Sequence, residues 1–194
     1  LLVEGPDCSY MKTQYVQGNH DWLSTLTSVS GFHRIANTAL HPVHMSGSRE
    51  EGVQDALLRI ARNPAVPAVA LTSMPMAFIT GADYERLTRL VHDETGKAAI
   101  HIPGKSLSGD WLDGYAETLL SLANQLTLEQ GKRDDRKVAI VGYLFDRNEE
   151  DHAGNLREIR RIFEALDLEL VSVWLSGSSF EELSAVRDAG TILS

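Results

Sequence analysis

The 194-residue chain carries 18 Lys and Arg against 27 Asp and Glu, a formal charge of −9, with 43% apolar residues. This composition fits a globular protein of one or two domains rather than a disordered chain, and its acidic sign argues against a nucleic-acid groove or an anionic membrane surface. Its one cysteine, Cys8, rules out an intrachain disulfide framework and a self-contained multi-cysteine zinc site, which leaves the cytoplasm as the default compartment.

The opening LLVEGPDCSY lacks the basic start and the apolar run of a signal peptide. A first residue other than Met and a strand-like TILS ending lead us to expect an excised fragment or a processed product. Residues 10–48 hold aromatic, Gly and His residues without a long helical period. Short strands are expected near 12–16 and 32–36, within irregular and functional loop. From Arg49 to Asn63, Val53, Ala56, Leu57 and Ile60 recur at the spacing of an amphipathic helix. The uncharged stretch 63–82 is long enough to span a bilayer, but Pro64, Pro67, Pro75 and Gly81 break it into strand, turn and helix. Its strand is VPAVALTS, 66–73. Asp83 is placed to cap a helix that carries Leu87, Leu90 and Val91 and stops at Gly96. AAIHIP (98–103) reads as a buried strand. Asp110 to Leu126 reads as a helix with a stripe of Leu112, Tyr115, Leu119, Leu122 and Leu126.

The polar run TLEQGKRDDRK (127–137) is the expected linker, and the pattern then restarts. KVAIVGYLF (137–145) reads as a strand, Leu156, Ile159, Phe163 and Leu166 as a helix stripe, and LELVSVWLS (168–176) as a strand. Phe180 to Arg187 reads as a short helix before a last strand at TIL. Alternating strands and helices call for right-handed βαβ units on a mainly parallel sheet covered on both faces. The expected fold is therefore α/β, with three-layer, parallel-sheet, Rossmann-like domains. Residues 1–129 form the first and 130–194 the N-terminal half of a second, truncated one. An uncovered sheet edge in the truncated half predicts self-association of the isolated chain.

Several signatures of chemistry are absent or weak. No G-x-G-x-x-G follows a strand, so a dinucleotide fingerprint is missing. Gly104-Lys105-Ser106 follows a strand, but the first glycine of a phosphate loop would fall at Ala99, inside it. A tight turn is the better reading. His41-Pro-Val-His44, with His20 and His33 nearby, lacks the helix and glutamate of a zincin, and solvated or packed histidines explain it better. No serine sits in a G-x-S-x-G elbow. Cys8, on a Gly/Pro turn, is open to three readings: a small buried residue, a free thiol or an iron–sulfur ligand.

Taken in order, Gly5-Pro-Asp-Cys8-Ser-Tyr10, Thr38-Ala-Leu40 running to Ser46-Gly47, and Leu71-Thr-Ser-Met-Pro75 resemble the nitrogenase component 1 family. That family includes the molybdenum–iron protein subunits, their cofactor-assembly scaffolds and the dark-operative protochlorophyllide reductase subunits. Ile79-Thr-Gly81-Ala-Asp83, Ile102-Pro-Gly104 with Gly109 and Gly114, Val138-Ala-Ile-Val-Gly142 and Leu175-Ser-Gly177 continue the resemblance across the chain. It implies an oxidoreductase subunit that positions an iron–sulfur or related cofactor for multi-electron reduction. It further implies a related component 1 subunit as partner, and an ATP-dependent iron-protein reductase as electron donor. Three cysteines from each subunit hold the family's interfacial cluster. Cys8 matches the first, whereas Ala36-Asn37 and Met74 stand where the second and third are expected. The resemblance thus makes Cys8 the candidate metal ligand, with a cluster in the full-length assembly and none in this piece alone. The alternative is a non-catalytic cofactor-assembly scaffold or pairing subunit that kept the fold and lost the cluster ligands.

Overall fold

A computed structural model describes residues 1–11, 34–43, 49–104, 107–126, 128, 131–144 and 151–194. Among them the chain gathers into two units, 1–126 and 128–194.

The first unit contains β1 (Leu2–Glu4), β2 (Ala36–Asn37), α1 (Glu50–Ala61), β3 (Ala68–Ser73), α2 (Pro75–Phe78), α3 (Tyr84–Thr95), β4 (Ala98–Ile102) and α4 (Trp111–Gln125). The strands run in the order β2-β1-β3-β4, all parallel, with Leu2 beside Leu71 and Ala68 beside Ala98. Alternation in β3 sends Val69, Leu71 and Ser73 to one face, and α1 and α3 cover that face. The core there joins Leu2, Val69 and Leu71 to Val53, Leu57, Leu87 and Val91, all essentially inaccessible. Helix α4 lies along β4 on the opposite face, where Thr72 and Ile102 point.

Local chemistry fixes the helix ends. Glu50 and Glu51 open α1 and Arg59 lies in its last turn, as the helix dipole favours. The Asp83 carboxylate accepts from Arg86 N–H at 2.9 Å, and Gly96 ends α3 at φ +69°. Asp110 and Asp113 form a reciprocal capping box at the start of α4.

The second unit contains β5 (Asp134–Ile140), α5 (His152–Ala165), β6 (Glu169–Val173), α6 (Phe180–Ser184) running on as a 3-10 turn (Ala185–Asp188), and β7 (Ala189–Leu193). Its three strands are parallel in the order β6-β5-β7. Ser172 Oγ donates to the Glu182 carbonyl at 2.7 Å and Trp174 Nε1 to the Leu183 carbonyl at 3.1 Å, which pin α6 to β6.

The expected helices and parallel strands are present in both units, and the fold is α/β with parallel sheets flanked by helices. Strand β1 is an addition to the expected elements, and three details differ. Strand β5 starts at Asp134, inside the run read as linker, because pairing with β6 and β7 recruits the polar residues; it ends at Ile140 rather than 145. The strand expected near 32–36 is Ala36–Asn37, and the one near 12–16 lies outside the described residues. Leu166 belongs to no buried stripe; it is an exposed residue at the end of α5, which has no fully buried side chain.

Candidate functional site

In the first unit the chain leaves β1 toward β2 on one side and then crosses to β3 on the other. The reversal puts a topological switch point between β1 and β3, and open α/β sheets bind ligands outside the carboxyl ends of the strands at such a point. Three segments converge there: Gly5 to Cys8 after β1, Thr38 to Leu40 after β2, and Met74 after β3.

Hydrogen bonds lace these segments together. Gly5 N–H donates to Thr38 Oγ1 at 3.1 Å, Leu40 N–H to the Gly5 carbonyl at 2.6 Å, and Met74 N–H to the Glu4 carbonyl at 2.8 Å. The chain turns at Pro6-Asp7, and residues 8–11 are helical, with Met11 N–H bonded to the Asp7 carbonyl at 3.2 Å. Cys8 is exposed at the head of that turn. Its neighbour Ser9 donates from Oγ to Asn37 Oδ1 at 2.5 Å, tying the cysteine turn to the end of β2. Ala39 sits at φ +50°, a conformation uncommon for a residue with a Cβ, so the second segment holds backbone strain.

Beneath this surface lies a buried polar group. Glu4 continues the inward face that Leu2 begins, and its side chain is fully buried. One carboxylate oxygen stands 3.5 Å from both Nε and an Nη of Arg49, while the other has no hydrogen-bond partner. Tyr84, also buried, donates to the Ala77 carbonyl at 3.3 Å. Burial pushes its phenol above the ordinary value, against hydrogen bonding to Thr80, and the Glu4 charge adds to the rise.

An interfacial cluster of the implied kind needs three thiolates from each chain, and these residues do not supply them. Cys8 offers one. Ala36 and Asn37 form β2 itself, and Met74 carries a thioether, which does not replace a bridging thiolate. Among the described residues no three His, Cys, Asp or Glu side chains group to hold a metal ion. His41 is exposed, with Nδ1 accepting from Val43 N–H at 3.3 Å; His20, His33 and His44 lie outside the described residues.

Beyond β4, Gly104 lines a cleft of about 300 Å³ together with Asp110, Asp113, Glu117 and Thr118 from the start of α4. Three carboxylates oppose a phosphate there; Lys105 and Ser106, on which the tight-turn reading falls, lie outside the described residues. In the second unit, the glycines of the quoted strand ends adopt positive φ, +105° at Gly142 and +79° at Gly177. His152 Nε2, at the start of α5, lies 2.5 Å from the Ser176 carbonyl. Sequence reasoning missed Glu4, Arg49, Ser9 and Tyr84. The one signal was the Leu2-Val3-Glu4 alternation, a strand too short to stand out by period alone.

Residues 2–194 match the family of nitrogenase component 1 type oxidoreductases. Over 166 residues the chain is 24% identical to the nitrogenase iron-molybdenum cofactor biosynthesis protein NifN of Nostoc sp. (strain PCC 7120), covering 81% of this chain and 36% of that protein. Nitrogenase Cp1 at pH 5 superposes with a TM-score of 0.72 at 12% identity, covering 95% of this chain and 37% of the other. Nitrogenase Cp1 at pH 6.5 gives 0.66 at 17% identity, over 92% and 38%. The chain thus spans little more than a third of the length of each. Among the described residues no helix is long and apolar enough to cross a membrane.

Proposed function

This chain belongs to the nitrogenase component 1 type oxidoreductases, and on that premise we propose that it is a scaffold or pairing subunit of an assembly in that family. The observation that carries the reading is the donor set at the switch point, where the segments after β1, β2 and β3 bring one exposed cysteine, Cys8, together with Asn37 and Met74, neither of which can supply a thiolate. The similarity to a cofactor biosynthesis protein favours the same role. The partner is a related component 1 subunit.

Exposed apolar side chains on the segments after the strands support pairing through this end of the sheet. Tyr10 and Met11 follow β1, Val43 follows β2, Phe78 and Ile79 follow β3, and Leu107 follows β4. Large apolar residues left in water at one end of a domain mark an interaction surface. Cys8 opens the helical turn that carries Tyr10 and Met11, so pairing there brings its thiolate to the partner. A partner with the family's three cysteines would make four thiolates in all, the number that holds a four-iron cluster. Two copies of this chain offer only two. The family's description as oxidoreductases favours a second reading, a subunit of a multi-electron reductase fed by an iron-protein donor.

The test is iron and sulfide analysis of the full-length protein, isolated anaerobically in its assembly, with and without Cys8→Ala. Loss of iron from the variant supports Cys8 as a ligand; full retention removes that role. Substrate reduction on adding an iron-protein reductase and ATP would favour the reductase reading.

A further inference from the structure

On this chain, the position that the family gives to the second and third cluster cysteines is filled as well as short of thiolates. Met74 stands over Gly5 so closely that a Cβ built there would lie 2.7 Å from Met74 Cγ, 2.8 Å from Sδ and 2.9 Å from Cβ. Because Cβ is one of the three, rotating the thioether away does not clear the space. Met74 is also held from behind, since its N–H bonds the Glu4 carbonyl at 2.8 Å and Pro75 starts α2 directly after it. On the other side, the Ser9 hydroxyl bonds Asn37 Oδ1 at 2.5 Å, so Asn37 is engaged with the cysteine turn itself.

We propose that Met74 and the Ser9–Asn37 pair form a plug: packed protein atoms occupy this chain's half of the inter-subunit cluster position, and the Met74 sulfur is a packing atom rather than a metal ligand. The proposal rests on the reading of Cys8 as an interface ligand and adds what limits the partner. Two copies of this chain would set two plugs face to face, so pairing productive for metal requires a related chain with cysteines at the equivalent places. The same contact leaves no room for a side chain at Gly5. Interiors are close-packed, and a methyl group at Gly5 and the Met74 side chain cannot share that space.

Two measurements on the full-length protein test this. In thermal unfolding, Gly5→Ala is expected to lower Tm, and the double variant Gly5→Ala/Met74→Gly to recover most of the loss. An unchanged Tm for Gly5→Ala, or no recovery in the double variant, overturns the plug. In the anaerobically isolated assembly, Met74→Leu keeps the volume and removes the sulfur, and is expected to hold as much iron as wild type. Loss of more than half of the iron in Met74→Leu would make the thioether a ligand and overturn the proposal. A wild-type assembly without iron would remove the ligand role of Cys8, while the size exchange still decides the plug.

Discussion

Gln125 and His101 exchange two hydrogen bonds across the open edge of the first sheet: Gln125 Nε2 donates to the His101 carbonyl at 2.7 Å, and His101 N–H donates to Gln125 Oε1 at 2.8 Å. The side-chain amide carries the same donor and acceptor as a peptide group, so it stands in for a strand beside β4, which among the described residues pairs with β3 alone. Exposed edges invite pairing with other chains, and this contact covers β4 at His101, next to its carboxyl end. Gln125→Ala is expected to destabilise the first unit by about 1 kcal/mol, the net worth of such bonds in partial contact with water. It should also raise self-association. Urea unfolding and sedimentation velocity check the two effects, and a variant matching wild type in both would show that the edge is protected by something else.

Glu4 and Arg49 make an unequal ion pair, since the carboxylate is fully buried and the guanidinium side chain is 19% exposed. Removing the cation leaves a buried charge without compensation, which typically costs about 3–5 kcal/mol, whereas neutralising both partners costs far less. Arg49→Met is therefore expected to destabilise strongly, and Glu4→Gln/Arg49→Met to recover a large part of the loss. Denaturant midpoints of the two single variants and the double give the coupling. Additive losses would mean that the pair is not energetically linked.

The parts of this fold legible in the sequence are those where one physical signal acts alone. Asp83 and Gly96 bracket α3 because a carboxylate cap and a left-handed stop are local chemistry. Val69 and Leu71 announce β3 by period. β1 is the opposite case: it is three residues long, lies inside the sheet and spends one of two inward positions on Glu4, so hydrophobic period cannot find it. Strand β5 begins in polar residues that only pairing makes into a strand. At the site, Cys8 and Met74 were legible through resemblance. The contacts of Met74 with Gly5 and of Ser9 with Asn37 join residues far apart in the chain, and spacing says nothing of them.

His101 ties the stability of the first unit to pH. Burial beside the Tyr84 ring, whose centroid is 5.6 Å away, holds the imidazole below its ordinary pKa, and the carboxylates of Glu85, Asp83 and Glu117 oppose that shift more weakly. The folded state then binds the proton less readily than the unfolded chain. By linkage, stability is complete above the ordinary histidine value of about 6.5 and falls as the pH drops from there toward the lowered folded value. His101→Phe keeps a ring against Tyr84 and removes the titration. Urea midpoints between about pH 7.5 and 5 should slope downward more steeply for wild type than for the variant; parallel profiles would assign the acid loss to other groups.

Phe78 and Ile79 bear on partner recognition. Phe78 is the last residue of α2, the short helix that follows Met74, and Ile79 is the next; they are 59% and 78% exposed. Side chains that protrude so far contribute little to the fold of the isolated chain, so Ile79→Asp should leave its Tm close to wild type. An aspartate buried at the centre of an interface loses hydration without gaining a partner, which is a strong penalty. If the related subunit docks on the strand ends, Ile79→Asp should weaken pairing of the full-length protein by at least about tenfold, equivalent to about 1.4 kcal/mol. Leu166→Asp, at an exposed apolar residue of the second unit that precedes the amino end of β6 rather than following a strand, serves as the control. Co-purification of the tagged protein with its partner, followed by dissociation measurements, reads the difference. Equal pairing by Ile79→Asp and wild type would move the interface away from this end of the sheet. Cys8, carried on the same surface, would then lose its route to the partner's thiolates.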